Sequence, residues 1–86
     1  HKREACIGKT RVRLSNFEYT FLNYSIDRNG VCNIESFQTY LTKRNGKSIS
    51  KGTIVVYVNR LKKKIQIQTS ECKIETRYGL GYCIVN

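Results

Sequence analysis

The stretch TIVVYVNRLKKKI, at residues 53–65, decides how the rest of the chain is interpreted. Its first half is rich in β-branched residues, which by propensity alone favour a strand. Four apolar residues nevertheless recur at offsets of zero, four, seven and eleven, which is the spacing of one helical face. They are Ile54, Val58, Leu61 and Ile65. Because propensity is a weak guide and no turn residue interrupts the second half, we predict a helix over residues 51–66.

The opposite side of this predicted helix carries residue types that suit a nucleic-acid groove. Cations can contact phosphates, hydrogen-bonding side chains can contact base edges, and an exposed methyl group can touch thymine. Arg60 and Lys63 are the cations, and Asn59 offers an amide. A basic face can also be simply solvated, but that alternative gives no reason for exposing Val55 and Val56.

The charge of the chain is strongly positive and unevenly distributed. Sixteen Lys and Arg residues stand against six Asp and Glu residues, which gives a formal net charge of +10 at pH 7. No acidic residue lies between Ser36 and Ser70, where eight basic residues do. Counterion release and electrostatic steering draw a polyanion to such a surface, so we expect an anionic macromolecular partner. A membrane surface and an acidic protein are the alternatives.

Cap residues predict two shorter helices before residue 51. Ser15, with Glu18 three residues later, forms a capping box, and Asn33 can cap the second helix. Arg28-Asn29-Gly30 should end the first helix. We assign to the core two stripes at helical spacing. That of the first helix comprises Phe17, Phe21, Leu22, Ser25 and Ile26, and that of the second comprises Ile34, Phe37 and Leu41.

Strand-like runs predict a β-hairpin near each end of the sequence. Residues 4–7 and 10–14 flank Gly8-Lys9, and the second run alternates basic with apolar residues, as a half-exposed strand does. Residues 72–77 and 82–85 flank a tip that holds two glycines, which permit a tight turn. We therefore expect one domain over residues 1–86, with a mixed α+β fold.

The cysteines raise the question of a secreted disulfide framework, because their number is even. They are Cys6, Cys32, Cys72 and Cys83. Their spacing is wide, no C-x-x-C pair exists and His1 is the only histidine, so neither a metal nor another cofactor is expected. Each cysteine lies in an apolar run, which favours reduced core thiols. With no further histidine, no carboxylate pair and no nucleophile motif, we expect no enzyme.

The order of these motifs resembles the effector domain of the bacterial OmpR/PhoB response regulators. Residues 53–65 and the run IETRYGLGY at residues 74–82 carry the resemblance, together with Ser15 and Asn33 at the helix starts. The resemblance implies a winged helix-turn-helix, which is an α+β fold with a three-helix core, a short N-terminal β-hairpin and a C-terminal β-hairpin wing. Its third helix would enter the major groove of DNA and its wing, about residues 72–85, would contact backbone or minor groove.

The resemblance also implies roles for individual residues. Thr53 and Lys62 would contact phosphates, Val56 would meet a thymine methyl group, and Arg60 would contact base edges. Thr76 and Tyr82 would anchor the wing to the DNA backbone. The full set of expected DNA contacts is Lys51, Thr53, Val56, Tyr57, Asn59, Arg60, Lys62, Lys63, Lys64, Thr76, Arg77, Tyr78 and Tyr82.

Four positions depart from the family pattern and imply a different target sequence. Asn59 stands where a basic residue is common, Val55 where an acid is common, and Tyr57 where histidine is common. Tyr78 takes the position of the usual minor-groove arginine, with Arg77 one residue earlier. Which of these two enters the groove stays open.

The resemblance implies partners beyond DNA. In the family the loop between helices two and three, here residues 42–50, can meet RNA polymerase, and a phosphorylated receiver domain of a two-component phosphorelay controls the effector. The resemblance also implies a monomer that pairs only on adjacent DNA half-sites. We expect the protein in the cytoplasm, since no apolar run resembles a signal peptide or a membrane span. A small secreted disulfide-bonded cationic protein and an RNA-binding module are the alternative functions.

Overall fold

The computed structural model describes residues 3–7 and 10–85 of the chain. They form a small α+β domain with three helices and five strands in this described part. In chain order these are β1 (Arg3–Ile7), β2 (Thr10–Leu14), α1 (Asn16–Ile26), β3 (Val31–Cys32), α2 (Ile34–Asn45), α3 (Lys51–Gln68), β4 (Lys73–Arg77) and β5 (Gly81–Val85). Both predicted hairpins and all three predicted helices are present, which confirms the α+β class. The predicted Gly8-Lys9 turn lies outside the described residues.

Two antiparallel sheets organise the strands. β1 pairs with β2, while β3, β5 and β4 form a three-stranded sheet in that order. β3 was not predicted from the sequence; it has only two residues and pairs Cys32 with Tyr82. Gly81 allows this pairing, because its φ is 103° and a Cβ there would overlap the carbonyl oxygen of Cys32.

Side-chain caps fix where the helices begin. Ser15 Oγ accepts the Glu18 N–H at 3.2 Å, and Glu18 Oε1 accepts the Ser15 N–H at 2.8 Å, which confirms the capping box. Asn33 Oδ1 accepts the Ser36 N–H at 3.0 Å at the start of α2. Gly30, with φ of 84°, reverses the chain after α1 as predicted. The beginnings of α1 and α2 are therefore encoded locally.

The core lies between the three helices, the three-stranded sheet and β2. The four apolar residues that predicted α3 are all 0% exposed, as are Phe21 and Phe37 of the other helices. Each such side chain contributes about 1.5–3 kcal/mol on leaving water. Ile26 is an error in the predicted stripe, since it is 63% exposed. It lies about 140° around the helix from Phe21 at 3.6 residues per turn, too far round to share its face.

The cysteines that the structure describes in full are reduced and buried. Cys32, Cys72 and Cys83 carry no disulfide, as the apolar runs predicted, and Cys6 lies in β1, whose side chains are outside the description. Burial raises the pKa of the Cys32 thiol to about 11 and also raises that of Cys72. Among the described residues, no helix combines the length and the apolar character needed to cross a bilayer.

Candidate nucleic-acid interface

The solvent-facing side of α3 is the candidate interface. Val56 is 47% exposed and Ile67 is 83% exposed. Asn59, Arg60 and Lys63 are exposed as well. At 3.6 residues per turn, all five lie on the far side of the helix from its buried residues. The structure thus brings predicted cations, an amide and methyl groups together on one surface, which we call the open face.

Polar contacts fix the first turn of α3. The Ser50 hydroxyl oxygen accepts the Thr53 N–H at 3.1 Å and lies 2.9 Å from Thr53 Oγ1. Lys51 Nζ donates to Glu35 Oε1 of α2 at 2.9 Å, and this hydrogen bond holds the pKa of Glu35 below its ordinary value. Both predicted contacts in this turn therefore have protein partners. The ion pair is exposed, so an approaching phosphate can compete for Lys51.

Tyr57 connects the open face to α1. Its ring meets the Phe17 ring edge-on, with centroids 5.0 Å apart and planes at 76°. The guanidinium carbon of Arg60 lies 5.9 Å from the Tyr57 centroid, within range of a cation–π contact. Tyr57 is packed on one side and 39% exposed. The α1 surface therefore positions Tyr57, and Tyr57 restricts where Arg60 can go.

Lys64 is held by the fold. Its Nζ donates to Glu18 Oε1 at 2.6 Å and to the Arg13 carbonyl oxygen at 3.2 Å. Desolvation raises the pKa of Glu18, but hydrogen bonds from Lys64 and the Ser15 N–H outweigh it, so the pKa is lowered overall. The expected DNA contact of Lys64 stays a prediction, and a phosphate would have to compete with these bonds to α1 and β2.

A basic groove runs between the second half of α3 and β4. Its lining comprises Lys62, Gln66, Lys73, Ile74, Glu75, Thr76 and Arg77. Arg77 and Lys73 contact the Glu75 carboxylate at 2.8 Å and 3.1 Å and lower its pKa. With Lys62, three cations line the groove against one carboxylate, so the groove is positive. The predicted contacts Lys62 and Thr76 therefore share a surface that can follow a phosphate backbone.

The hairpin tip and the strand after it differ in exposure. Tyr78 is fully exposed and Leu80 is 50% exposed, whereas Tyr82 is only 3% exposed. The Tyr82 ring centroid lies 6.1 Å from that of Phe21 in the core, and burial raises the pKa of its hydroxyl. The expectation that Tyr82 contacts the DNA backbone is corrected, since its side chain packs inside the protein.

The connection between α2 and α3 is shorter than predicted. α2 continues to Asn45, and Gly46, with φ of 72°, ends it by donating its N–H to the Thr42 carbonyl at 2.9 Å. Gln38 Nε2 donates to the Ile49 carbonyl at 2.8 Å and ties the loop to α2. Only residues 46–50 are therefore non-helical, and the predicted loop of residues 42–50 is wrong at its start.

Three cations of α3 take part in no ion pair among the residues whose side chains are described. Among residues 10–85, whose side chains the structure describes, ion pairs engage Lys51 and Lys64 but not Arg60, Lys62 or Lys63. Arg60 and Lys63 lie on the open face, and Lys62 lines the basic groove beside it. This continuous positive surface is accessible to a polyanion without breaking a salt bridge on α3.

Three residues of this surface were not predicted from the sequence. Gln66 follows Lys62 by four positions, so helical spacing alone could have found it. Lys73 alternates with Glu75 along β4 and could have been found from strand periodicity. Ile67 lies one residue beyond the predicted end of the helix at residue 66, so no face was assigned to it. Within the described part of the chain, no three His, Cys, Asp or Glu side chains form a group that could hold a metal ion.

Comparisons with known proteins found no relative of the chain. No protein-family model matches it, and neither does any curated protein or solved structure. Its function has to be inferred from the contacts, exposure and charge of the interface itself.

Proposed function

We propose that the chain is a winged helix-turn-helix module that binds double-stranded DNA, with α3 in the major groove and the β4–β5 hairpin as the wing. The observation that carries this proposal is the sidedness of α3. One side is wholly buried, while the open face presents Arg60, Lys63, Asn59 and Val56 without an acidic neighbour on the helix. A helix fits the major groove of B-form DNA, and these side chains match its phosphates, base edges and thymine methyl groups.

The residues on and beside the open face suit different parts of the DNA. Arg60 is the base-contacting residue, because a guanidinium forms two hydrogen bonds with guanine and the Tyr57 ring already restricts it. Asn59 and Val56 add amide and methyl contacts, whereas Lys62 and Lys63 contact phosphates. Double-stranded RNA is a poorer partner, since its major groove is too deep and narrow for a helix to enter.

The order of motifs supports a more specific role as the effector domain of an OmpR/PhoB-type response regulator. In that role a receiver domain controls the module in a bacterial two-component system. RNA polymerase would meet residues 46–50, and two copies would pair on half-sites about one helical turn apart. The resemblance supports these partners, and the exposed position of the loop supports the RNA polymerase contact in particular.

Selection of bound duplexes from a random pool tests the proposal, followed by affinity measurements on three variants. Arg60→Ala should cost about 1–3 kcal/mol on the selected duplex and relax preference at one base position. Lys62→Ala should weaken all sequences alike and reduce the salt dependence by about one charge. Lys43→Ala, which removes an exposed cation of α2, is the matched control.

Two results would count against the proposal at different levels. Equal losses for Arg60→Ala on selected and scrambled duplexes would remove its base-contacting role. A chain that enriches no sequence and binds no duplex at low salt would refute DNA binding altogether.

A further inference from the structure

The tip of the β4–β5 hairpin exposes apolar surface that the fold does not use. Tyr78 is fully exposed and Leu80 is 50% exposed. The Leu80 N–H donates to the Arg77 carbonyl at 3.1 Å, and Gly79 between the two side chains has φ of 81°, so the turn itself is defined. A ring and a branched aliphatic group therefore project from a short, closed turn.

The cation next to this tip already has a protein partner. Arg77 donates from Nη2 and Nε to Glu75 Oε1, at 2.8 Å and 3.3 Å. Lys73 contacts the other oxygen of the same carboxylate at 3.1 Å. An arginine that entered a DNA groove here would have to exchange this exposed pair for a DNA contact, whereas the fully exposed Tyr78 ring enters without such an exchange. The two large side chains of the tip itself, Tyr78 and Leu80, therefore offer apolar contact, and Arg77 beside them is an exposed cation.

The position of the tip favours duplex DNA as its partner. Arg77, the residue before Tyr78, lines the basic groove together with Lys62 of α3. A duplex lying on the open face would therefore continue along β4 toward the tip. Proteins that insert apolar side chains into a minor groove unstack a base step and bend the duplex. An aromatic ring also stacks on any base, whatever the sequence.

We infer that Tyr78, with Leu80 beside it, is a wedge that inserts into the minor groove and unstacks one base step next to the segment bound by α3. This inference rests on the proposed DNA binding and adds a mode of contact to it. The wedge bends the duplex toward α3 and selects flexible pyrimidine–purine steps, which unstack at lowest cost. Specificity then arises at positions that no side chain contacts through hydrogen bonds.

The test uses the chain with an alternating adenine–thymine duplex of about three helical turns, in which aminopurine replaces adenine. Aminopurine fluoresces more strongly when it unstacks, and anisotropy of an end label reports binding separately. We expect the chain to raise the fluorescence. Tyr78→Ala should abolish the rise and weaken binding by about tenfold, while Tyr78→Phe should keep both. Ile26→Ala, which removes an exposed apolar side chain at the end of α1, should change neither.

The outcomes separate the wedge from the proposed function. Binding without any rise in fluorescence, or an unchanged rise with folded Tyr78→Ala, overturns the wedge and leaves DNA binding standing. No binding of the chain to this duplex at low salt overturns both. Binding of the chain to phosphatidylserine vesicles that depends on Tyr78, together with no unstacking of the duplex, assigns the tip to a membrane surface and also overturns the wedge.

Discussion

The ion pair between Lys64 and Glu18 joins α3 to α1, and Lys64→Met tests how much it stabilises the fold. The substitution keeps an aliphatic side chain of similar length and removes the ammonium group. Glu18 would then keep the Ser15 N–H at 2.8 Å but lose its donor at 2.6 Å. Its side chain is only 9% exposed, so water cannot easily replace Lys64. The variant leaves a carboxylate that is poorly solvated and unpaired.

The expected cost lies between two reference cases. A hydrogen bond to a charged group contributes about 1.5–3 kcal/mol, and removing one partner of a fully buried ion pair costs about 3–5 kcal/mol. The Lys64 side chain is 34% exposed, so solvent already screens part of this interaction. We therefore expect Lys64→Met to lower the free energy of unfolding by about 2 kcal/mol, which corresponds to about 8–16 °C in Tm for a domain of this size.

The cost should depend on pH. The folded-state pKa of Glu18 is lowered, so its ionisation stabilises the fold above the unfolded value of about 4.3. That stabilisation is lost as the pH falls through the folded pKa. Without Lys64, Glu18 loses two of the four interactions that lower its pKa, so its pKa rises and this contribution shrinks. The difference between the two proteins should be largest near neutral pH and shrink below about pH 4.

Urea unfolding followed by circular dichroism measures the effect at neutral and acidic pH. Lys63→Met is the matched control, because it removes the neighbouring charge from the open face and should cost less than about 0.5 kcal/mol. If Lys64→Met costs no more than the control at neutral pH, the pair does not hold α3. If Lys64→Met lowers the free energy of unfolding as much in acid as at neutral pH, the loss comes from packing and not from charge.

Two further predictions concern the strand pairing and the thiols. Gly79→Ala should cost about 1–2 kcal/mol in urea unfolding, because its φ is 81°. Gly81→Ala should cost clearly more, since its Cβ would also overlap the Cys32 carbonyl oxygen, and equal costs would contradict the close approach of β3. Because burial raises the pKa of Cys32 to about 11, iodoacetamide should label it at least about tenfold more slowly in the folded chain than in urea. Equal labelling rates by mass spectrometry would mean that the thiol is open to solvent.

The helices could be predicted because their signals are local. The capping box at Ser15 and the spacing of apolar residues both act within one or two turns, so the sequence around them is sufficient. α3 is the instructive case, since its β-branched residues favoured a strand. Ile54 and Val58 are wholly buried against the other helices, and that burial outweighs a propensity difference of well under 1 kcal/mol per residue.

The features that were missed depend on partners far away in the chain. β3 exists because Cys32 pairs with Tyr82, fifty positions later, and the same strand contact turns Tyr82 into the core. Lys64 was assigned to DNA because its charge is visible in the sequence, whereas its bond to Glu18 is not. Helical spacing places Lys63 opposite the apolar stripe and Lys64 at its flank, but it does not show which residue packs against that flank. The rotation of α3 against α1 brings Glu18 there, and that rotation is a property of the packed core.

The same rotation determines which cations of α3 stay unpaired and can bind a partner. The acidic residues that pair with α3 come from its flanks: Glu35 on α2 contacts Lys51, and Glu18 on α1 contacts Lys64. Each holds one end of the helix, and neither reaches the side that carries Arg60. Had either carboxylate lain on that side, a phosphate backbone would have had to displace it and would have lost part of its attraction. The carboxylates that pair with the two ends of α3 therefore leave its open face positive, so that Arg60 and Lys63 are available to a partner without breaking an ion pair.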